Sequence, residues 1–270
     1  MNKTELLIID PQFDFCDPSG SLYVDGANKD MERLSSMIKK TKSQISQIRV
    51  TLDSHHIVDV AHPLFWKNSN GKNPDPFTII SFDDVKNGVW KPFLPSLNKR
   101  MISYVETLAK NGQYQLCIWP PHCLIGSQGH CVYPKLYEAL VEWETNKPWN
   151  IDYVTKGSNI FTEHYGAVEA EVPDPEDYST QINTPLITAL MNADNILVAG
   201  EAGSHCLKTT VEQIAFRFKD DSYIKKITLL TDATSSVISP YVDFPAIQEK
   251  FIKDMVSRGM QLTTTVDFAS

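Results

Sequence analysis

Short apolar runs alternate with stretches in which apolar residues recur every third or fourth position, and this alternation spans most of the chain. Leu6-Leu-Ile-Ile-Asp10, Gln47–Leu52, Tyr114–Ile118, Ile151–Thr155, Ile196–Ala199, Lys226–Thr231 and Gln261–Thr265 have the length and apolar content of buried strands. Between them, residues 28–46, 97–109, 134–143, 183–191, 207–216 and 242–258 carry apolar side chains at helical spacing, as in Met31, Leu34, Met37 and Ile38. Strands alternating with helices predict an α/β fold of three layers, a doubly wound, Rossmann-like sheet of about six mainly parallel strands with helices on both faces. Residues 63–115 break the rhythm. They are rich in Pro and Asn, hold a short run Phe77-Thr-Ile-Ile-Ser81 and one helix, and are predicted as a long surface excursion within a single domain spanning 1–270.

In open α/β sheets the ligand crevice lies beyond the carboxyl ends of the strands, so the polar residues that end each run are the candidates for chemistry. Asp10 ends the first run, Asp53-Ser-His55 the second and Lys156 the fourth. Cys206 falls where the run ending in Ala199 turns into a helix, within Gly200-Glu-Ala-Gly-Ser-His-Cys206. Taken singly, these are a turn aspartate, a solvated lysine and a small buried thiol. Taken together they sit on one edge of one sheet. A thiol at a helix start is expected to have a lowered pKa, and free amides there can hold an oxyanion. An aspartate beside it would move its proton, and a lysine near both would keep the charges in place, which is a Cys-Asp-Lys hydrolase arrangement.

A second constellation suits a divalent metal. Asp53 and His55 are two apart on an extended segment and so share a face. His62 lies within reach of them, and His122 follows Trp119-Pro-Pro, whose prolines fix the backbone at the predicted strand end. Cys123 is a softer alternative to its neighbour His122. Phe13 and Phe15, in a Pro11–Gly26 loop, and Trp119 can make a stacking wall for a flat ligand, although a core role would place them equally well. Cys16, Cys117 and Cys131 read as structural, and His130, His164 and His205 have no evident partner.

Composition narrows the field. A net charge of −8, from 25 basic and 33 acidic residues, argues against nucleic-acid binding. No apolar stretch is long enough to span a bilayer, and the N-terminus lacks a signal-peptide pattern, so a cytoplasmic protein without membrane partners is expected. Five irregularly spaced cysteines do not make a disulfide framework.

Several segments together carry a family likeness: Ile-Ile-Asp-Pro-Gln-Phe-Asp-Phe-Cys16, Thr-Leu-Asp-Ser-His55, Trp-Pro-Pro-His-Cys123, Thr-Lys-Gly157 and Gly-Glu-Ala-Gly-Ser-His-Cys206. The chain resembles the isochorismatase-like cysteine hydrolases, and within them the nicotinamidases, nearly end to end. That resemblance implies Asp10, Lys156 and Cys206 as the triad, and Asp53, His55 and His122 as ligands of one zinc, iron or manganese ion, with zinc preferred. It adds His62 as a fourth ligand found in some members. It implies that Phe13 and Trp119 sandwich a pyridine ring, that the amides of Ala202 and Cys206 form the oxyanion hole, and that the Glu201–Ala202 peptide is cis. The implied activity is hydrolysis of nicotinamide to nicotinate and ammonia, within pyridine nucleotide salvage, by a homo-oligomer. Three departures stand out: the 63–115 excursion, Gly203-Ser204 where several members have Thr-Asp, and His62, which sits one residue later than in short members. They leave room for another small amide or carbamoyl substrate. A non-catalytic binding protein and a redox sensor built on Cys206 are the readings from other classes.

Overall fold

The computed structural model describes residues 3–111, 114–239 and 242–270; Met1, Asn2 and residues 112–113 of the predicted excursion lie outside it. Six strands form one sheet: β1 (Thr4–Ile9), β2 (Gln47–Asp53), β3 (Asp152–Lys156), β4 (Asn195–Gly200), β5 (Ile227–Leu230) and β6 (Gln261–Thr263). Their order is β6-β5-β4-β1-β2-β3 and every pairing is parallel. The strand order reverses between β1 and β4, so the crevice expected in a doubly wound sheet opens beyond Ile9 and Gly200.

Alternation along β1 builds the layers. Leu7 and Ile9 face one way, packing with Ile196 and Val198 of β4 against Leu186 of α4 (Thr184–Met191), Val211 and Ile214 of α5 (Cys206–Phe218) and Phe251 of α6 (Phe244–Ser257). Leu6 and Ile8 face the other way, against Met31 and Leu34 of α1 (Ala27–Lys40) and Leu136 and Leu140 of α3 (Pro134–Thr145). The predicted three-layer α/β architecture is what forms. Among the described residues, no helix is long and apolar enough to cross a membrane.

The 63–115 region differs from its sequence reading. It carries two helices, Phe82–Lys86 and α2 (Asn98–Lys110), with an antiparallel pair Trp66–Lys67 and Lys91–Pro92. Phe65, Trp66, Ile80, Met101, Val105 and Leu116 form a third apolar cluster there. The region therefore has a small core of its own rather than lying as a loop over the surface. The run at 114–118 is also corrected. Its ordered part, Leu116–Cys117, pairs antiparallel with Ile79–Ile80 and not with the central sheet. An apolar run signals burial, and here the third cluster supplies it.

The closest backbone approach lies at the switch point. Gly200 has φ of +111°, and a Cβ there would lie 2.1 Å from the Ile9 carbonyl oxygen. Both the dihedral and the space demand glycine. Gly200→Ala is expected to cost more than about 4 kcal/mol, read as a lowered midpoint in urea unfolding.

Candidate active site

Register places the first charged pair. Asp53 and Lys156 are direct partners on β2 and β3, and Lys156 Nζ lies 3.0 Å from Asp53 Oδ1. The same ammonium is 2.9 Å from Asp10 Oδ2 beyond the end of β1, and donates to the His164 carbonyl at 2.8 Å. It also lies 3.8 Å from Cys206 Sγ, at the first residue of α5. All four side chains are nearly or fully buried. Asp10 is held by Thr51, whose hydroxyl accepts from the Asp10 backbone N–H at 2.9 Å and donates to Oδ1. Gly157 has φ of +85°, and a Cβ on it would meet Asp53 Oδ1 at 2.8 Å, so the glycine after Lys156 makes room for the aspartate.

Burial penalises the charged form of Lys156, but the Asp10 and Asp53 carboxylates outweigh it and hold the ammonium well above its usual range. Burial also raises the Asp10 carboxyl, against the opposing charge of Lys156. Cys206 departs from expectation. Burial pushes its thiol well up, and the Asp10 and Asp53 charges add to this, so that Lys156 offsets only part of the shift. The Cys206 side chain rests as a thiol, and Asp10 is placed to accept its hydrogen bond.

Backbone donors complete the arrangement. The Glu201–Ala202 peptide is cis, and Leu207 N–H donates to the Ala202 carbonyl at 3.2 Å. Among the described residues, neither the Ala202 nor the Cys206 backbone N–H has an acceptor. Both are free for an oxyanion.

Asp53, His55 and His122 form a buried set whose candidate ligand atoms all lie within 4.8 Å of one another. His55 Nε2 is 3.0 Å and His122 Nε2 3.5 Å from Asp53 Oδ2. Their other ring nitrogens are engaged: His55 Nδ1 pairs with Asp59 Oδ2 at 3.1 Å and His122 Nδ1 with the Pro120 carbonyl at 2.9 Å. With each Nδ1 tied back, both Nε2 atoms are directed toward the carboxylate, and one oxygen with two imidazoles suits a divalent transition metal. His62 is outside this set. Its Nδ1 pairs with the His56 carbonyl at 3.0 Å, and its Nε2 faces His122 Nδ1 at 3.3 Å. Burial, reinforced by His122 and His55, pushes its pKa down to about 3, which leaves a neutral ring supporting His122.

His122 reaches this point without a sheet strand beneath it. Cys123 N–H donates to Asp14 Oδ2 at 2.7 Å, His55 N–H to the Cys123 carbonyl at 3.1 Å, and Ile125 N–H to the His55 carbonyl at 3.1 Å. Cys123 is spent on this backbone link, and its thiol is fully buried. Gln12 clamps Asp53 from the other side, accepting from its N–H and donating to its carbonyl, both at 2.7 Å.

A cavity opens onto Cys206, Asp53 and His122. Trp119 lines it, as does Phe15; Phe13 does not. Both phenylalanines fall on one short helix, Phe13–Cys16, and it is Phe15 whose ring lies 5.3 Å from that of His122. Glu163 and Tyr165 also line it and were not singled out in the sequence, nor was Asp59. Glu163 Oε2 is buried without a partner, and burial pushes the carboxyl up to about 7. The histidines left unassigned have partners: His130 Nε2 with Ser54 Oγ at 2.8 Å, His164 Nδ1 with Gly157 N–H at 3.3 Å, and His205 Nδ1 with Ser204 Oγ at 2.9 Å.

No family model and no curated protein matches the chain in sequence. Solved structures share its fold. A yeast nicotinamidase bound to the inhibitor nicotinaldehyde superposes with a TM-score of 0.64 at 18% identity, over 97% of this chain and 99% of that one. A nicotinamidase/pyrazinamidase of Acinetobacter baumanii gives 0.62 at 17% identity, over 99% and 98%. A pyrazinamidase of Pyrococcus horikoshii in complex with zinc gives 0.56 at 18% identity, over 97% and 99%.

Asp59 orients His55, so Asp59→Asn is expected to weaken zinc binding by about 10- to 100-fold in competition with a chromophoric chelator. His62→Ala, which removes only a 3.3 Å contact to a His122 Nδ1 also held by the Pro120 carbonyl, should weaken it less.

Proposed function

We propose that this chain is an isochorismatase-like cysteine hydrolase, a metal-assisted amidase whose substrate is a small aryl carboxamide, nicotinamide first among them. The observation that carries the reading is the meeting of Cys206, Asp10 and Lys156 at the wall of a cavity lined by aromatic rings. Fold neighbours that are nicotinamidases and pyrazinamidases support it.

In this reading Asp10 takes the Cys206 proton as the sulfur attacks the carboxamide carbon. The negative charge that develops on the carbonyl oxygen falls to the Ala202 and Cys206 N–H groups. Lys156 stays an ammonium throughout and keeps Asp10 oriented between its two proton transfers. Asp10 then passes the proton to the departing nitrogen, and ammonia leaves a thioester on Cys206. Water, activated by the same carboxylate, cleaves the thioester to the acid. A divalent cation held by Asp53, His55 and His122, with zinc the first candidate, would act as a Lewis acid that orients the ring nitrogen. Phe15 and Trp119 would flank the ring, and Glu163 offers a buried carboxyl beside it.

Ammonia release from nicotinamide tests this reading. It should be rapid, sensitive to prior chelation and absent in Cys206→Ala, whose unfolding midpoint stays near that of the parent; release that persists in the variant sinks the mechanism. Trp119→Ala should raise KM by about tenfold while kcat changes far less, because a stacking wall binds substrate and transition state alike. An unchanged KM would assign Trp119 to the core alone.

A further inference from the structure

Glu201 stands directly before Ala202, and its side chain is a fully buried carboxyl that the triad does not use. Its Oε2 accepts from the Ser235 N–H at 2.9 Å, while Oε1 has no donor among the described residues. The group it faces is another acid. Asp30, on α1 and 2% exposed, lies within hydrogen-bonding reach of the Glu201 carboxyl. Asp30 Oδ2 already accepts from the Ser235 hydroxyl at 2.5 Å, and Oδ1 pairs with Arg33. Two carboxylates side by side in a dry interior cannot both be ionised. Arg33 compensates the charge on Asp30, so the proton belongs on Glu201, which donates it to Asp30. Burial and the Asp30 charge push the Glu201 carboxyl well above its usual range, and the opposing Ser235 N–H and Arg33 do not reverse this.

What the carboxyl holds is the turn that ends at Cys206. The segment after β5 runs beside residues 200–206 and is tied to them at four points. Gly200 N–H donates to the Ala233 carbonyl at 2.9 Å, Gly203 N–H to the Ser235 carbonyl at 2.8 Å, Val237 N–H to Ser204 Oγ at 3.2 Å, and Ser235 N–H to Glu201. Ser235 is thereby gripped on both sides, its N–H by Glu201 and its carbonyl by Gly203, the two neighbours of Ala202. The Glu201 N–H is itself fixed to the Ile9 carbonyl at 2.8 Å. The Ala202 N–H stands between these anchors, and through Asp30 the tie continues to α1.

We propose that Glu201 is a positioning residue: sharing a proton with Asp30, it clamps Ser235 and so sets the direction of the Ala202 N–H. This rests on the amidase reading, in which that N–H receives the oxyanion, and adds to it the group that aims the donor. An oxyanion donor acts only where it already lies at hydrogen-bond distance from the developing charge.

The test uses substitutions that separate shape from hydrogen bonding. Glu201→Gln keeps both bonds, its carboxamide oxygen accepting from Ser235 and its nitrogen donating to Asp30. Glu201→Met and Glu201→Leu keep the volume and lose both. The infrared difference between wild type and Glu201→Gln at neutral pH is expected to show a protonated carboxyl band that belongs to the wild type. Asp30→Asn, whose amide donates to Glu201 and lets it ionise, should remove that band. With isotope-labelled alanine, the Ala202 amide resonance should move in both apolar variants and stay in Glu201→Gln. In nicotinamide hydrolysis the apolar variants should lower kcat by about tenfold or more with KM within about twofold, and Glu201→Gln should keep both within about threefold. A carboxylate in the wild type, or a band that persists in Asp30→Asn, overturns the shared proton. An Ala202 resonance unmoved in the apolar variants, or a Glu201→Gln protein as impaired as they are, overturns the positioning. A wild type that leaves nicotinamide intact strikes the amidase reading instead, and the infrared and Ala202 comparisons still decide whether Glu201 sets that amide.

Discussion

One ammonium buried between two carboxylates is the interaction on which the rest of this structure depends. Lys156 lies 2.9 Å from Asp10 and 3.0 Å from Asp53, with side chains that are at most 5% exposed. Dehydrating three charges costs several kcal/mol each, and only close pairing with further hydrogen bonds returns it. The further bonds are present: Thr51 on Asp10, the His164 carbonyl on Lys156, and two imidazoles on Asp53. Removing the lysine would strand two buried carboxylates, an error worth roughly 3–5 kcal/mol. At Asp53 the His55 and His122 imidazoles gather as well, and against the penalty of burial the Asp53 and Asp59 carboxylates hold the His55 ring well above its usual pKa, which shows that this point favours positive charge.

The same triangle ties chemistry to topology. Its members end β1, β2 and β3, and Asp53 and Lys156 are paired in register. A slip of one residue between β2 and β3 would turn either side chain to the opposite face and break the pair. Cys206 enters from β4 on the far side of β1, so the switch in strand order brings its thiol next to Asp10. Gly200 permits that approach and Gly157 permits the one on the other flank.

The layered fold and the meeting of Asp10, Lys156 and Cys206 were legible in the sequence because each depends on a local pattern: an apolar run, then a polar residue at or beyond its end. Asp10, Asp53, Lys156 and Cys206 all have that form. What depends on tertiary context was not legible. Residues 114–118 read as a sheet strand because burial leaves the same pattern whichever core provides it, and only the third apolar cluster distinguishes the cases. Phe13 and Phe15 are equivalent in a loop but not on a helical turn, where two residues of spacing point them to different sides. Asp59 and Glu163 carry no periodic signal; Asp59 stands four residues after His55, a spacing that could have suggested a pair. The Cys206 thiol was expected to be acidic from its helix start and its lysine. Burial prevails: it is the largest contribution, Lys156 offsets only part of it, and the Asp10 and Asp53 carboxylates add to it.

That balance changes what the 63–115 region means for the site. Under the proposed amidase reading, a thiol held protonated by burial depends on Asp10 for activation, and Asp10 would work only if water stayed out until the thioester had formed. The wall that excludes water is assembled from distant parts of the chain. Trp119 N–H donates to the Ala61 carbonyl at 2.8 Å, Trp119 packs edge-on against Phe77 at 5.8 Å, and Tyr114 reaches across to the Ser204 carbonyl two residues before the nucleophile. Phe77 and Tyr114 both belong to the 63–115 region. A segment that holds the nucleophile's own turn and one side of its aromatic wall is part of the site's construction, and a change in its packing would reach Cys206 through Ser204 and His205. Under the proposed reading, selectivity and activation would share the same residues: the rings that flank the substrate would also keep the proton between sulfur and carboxylate.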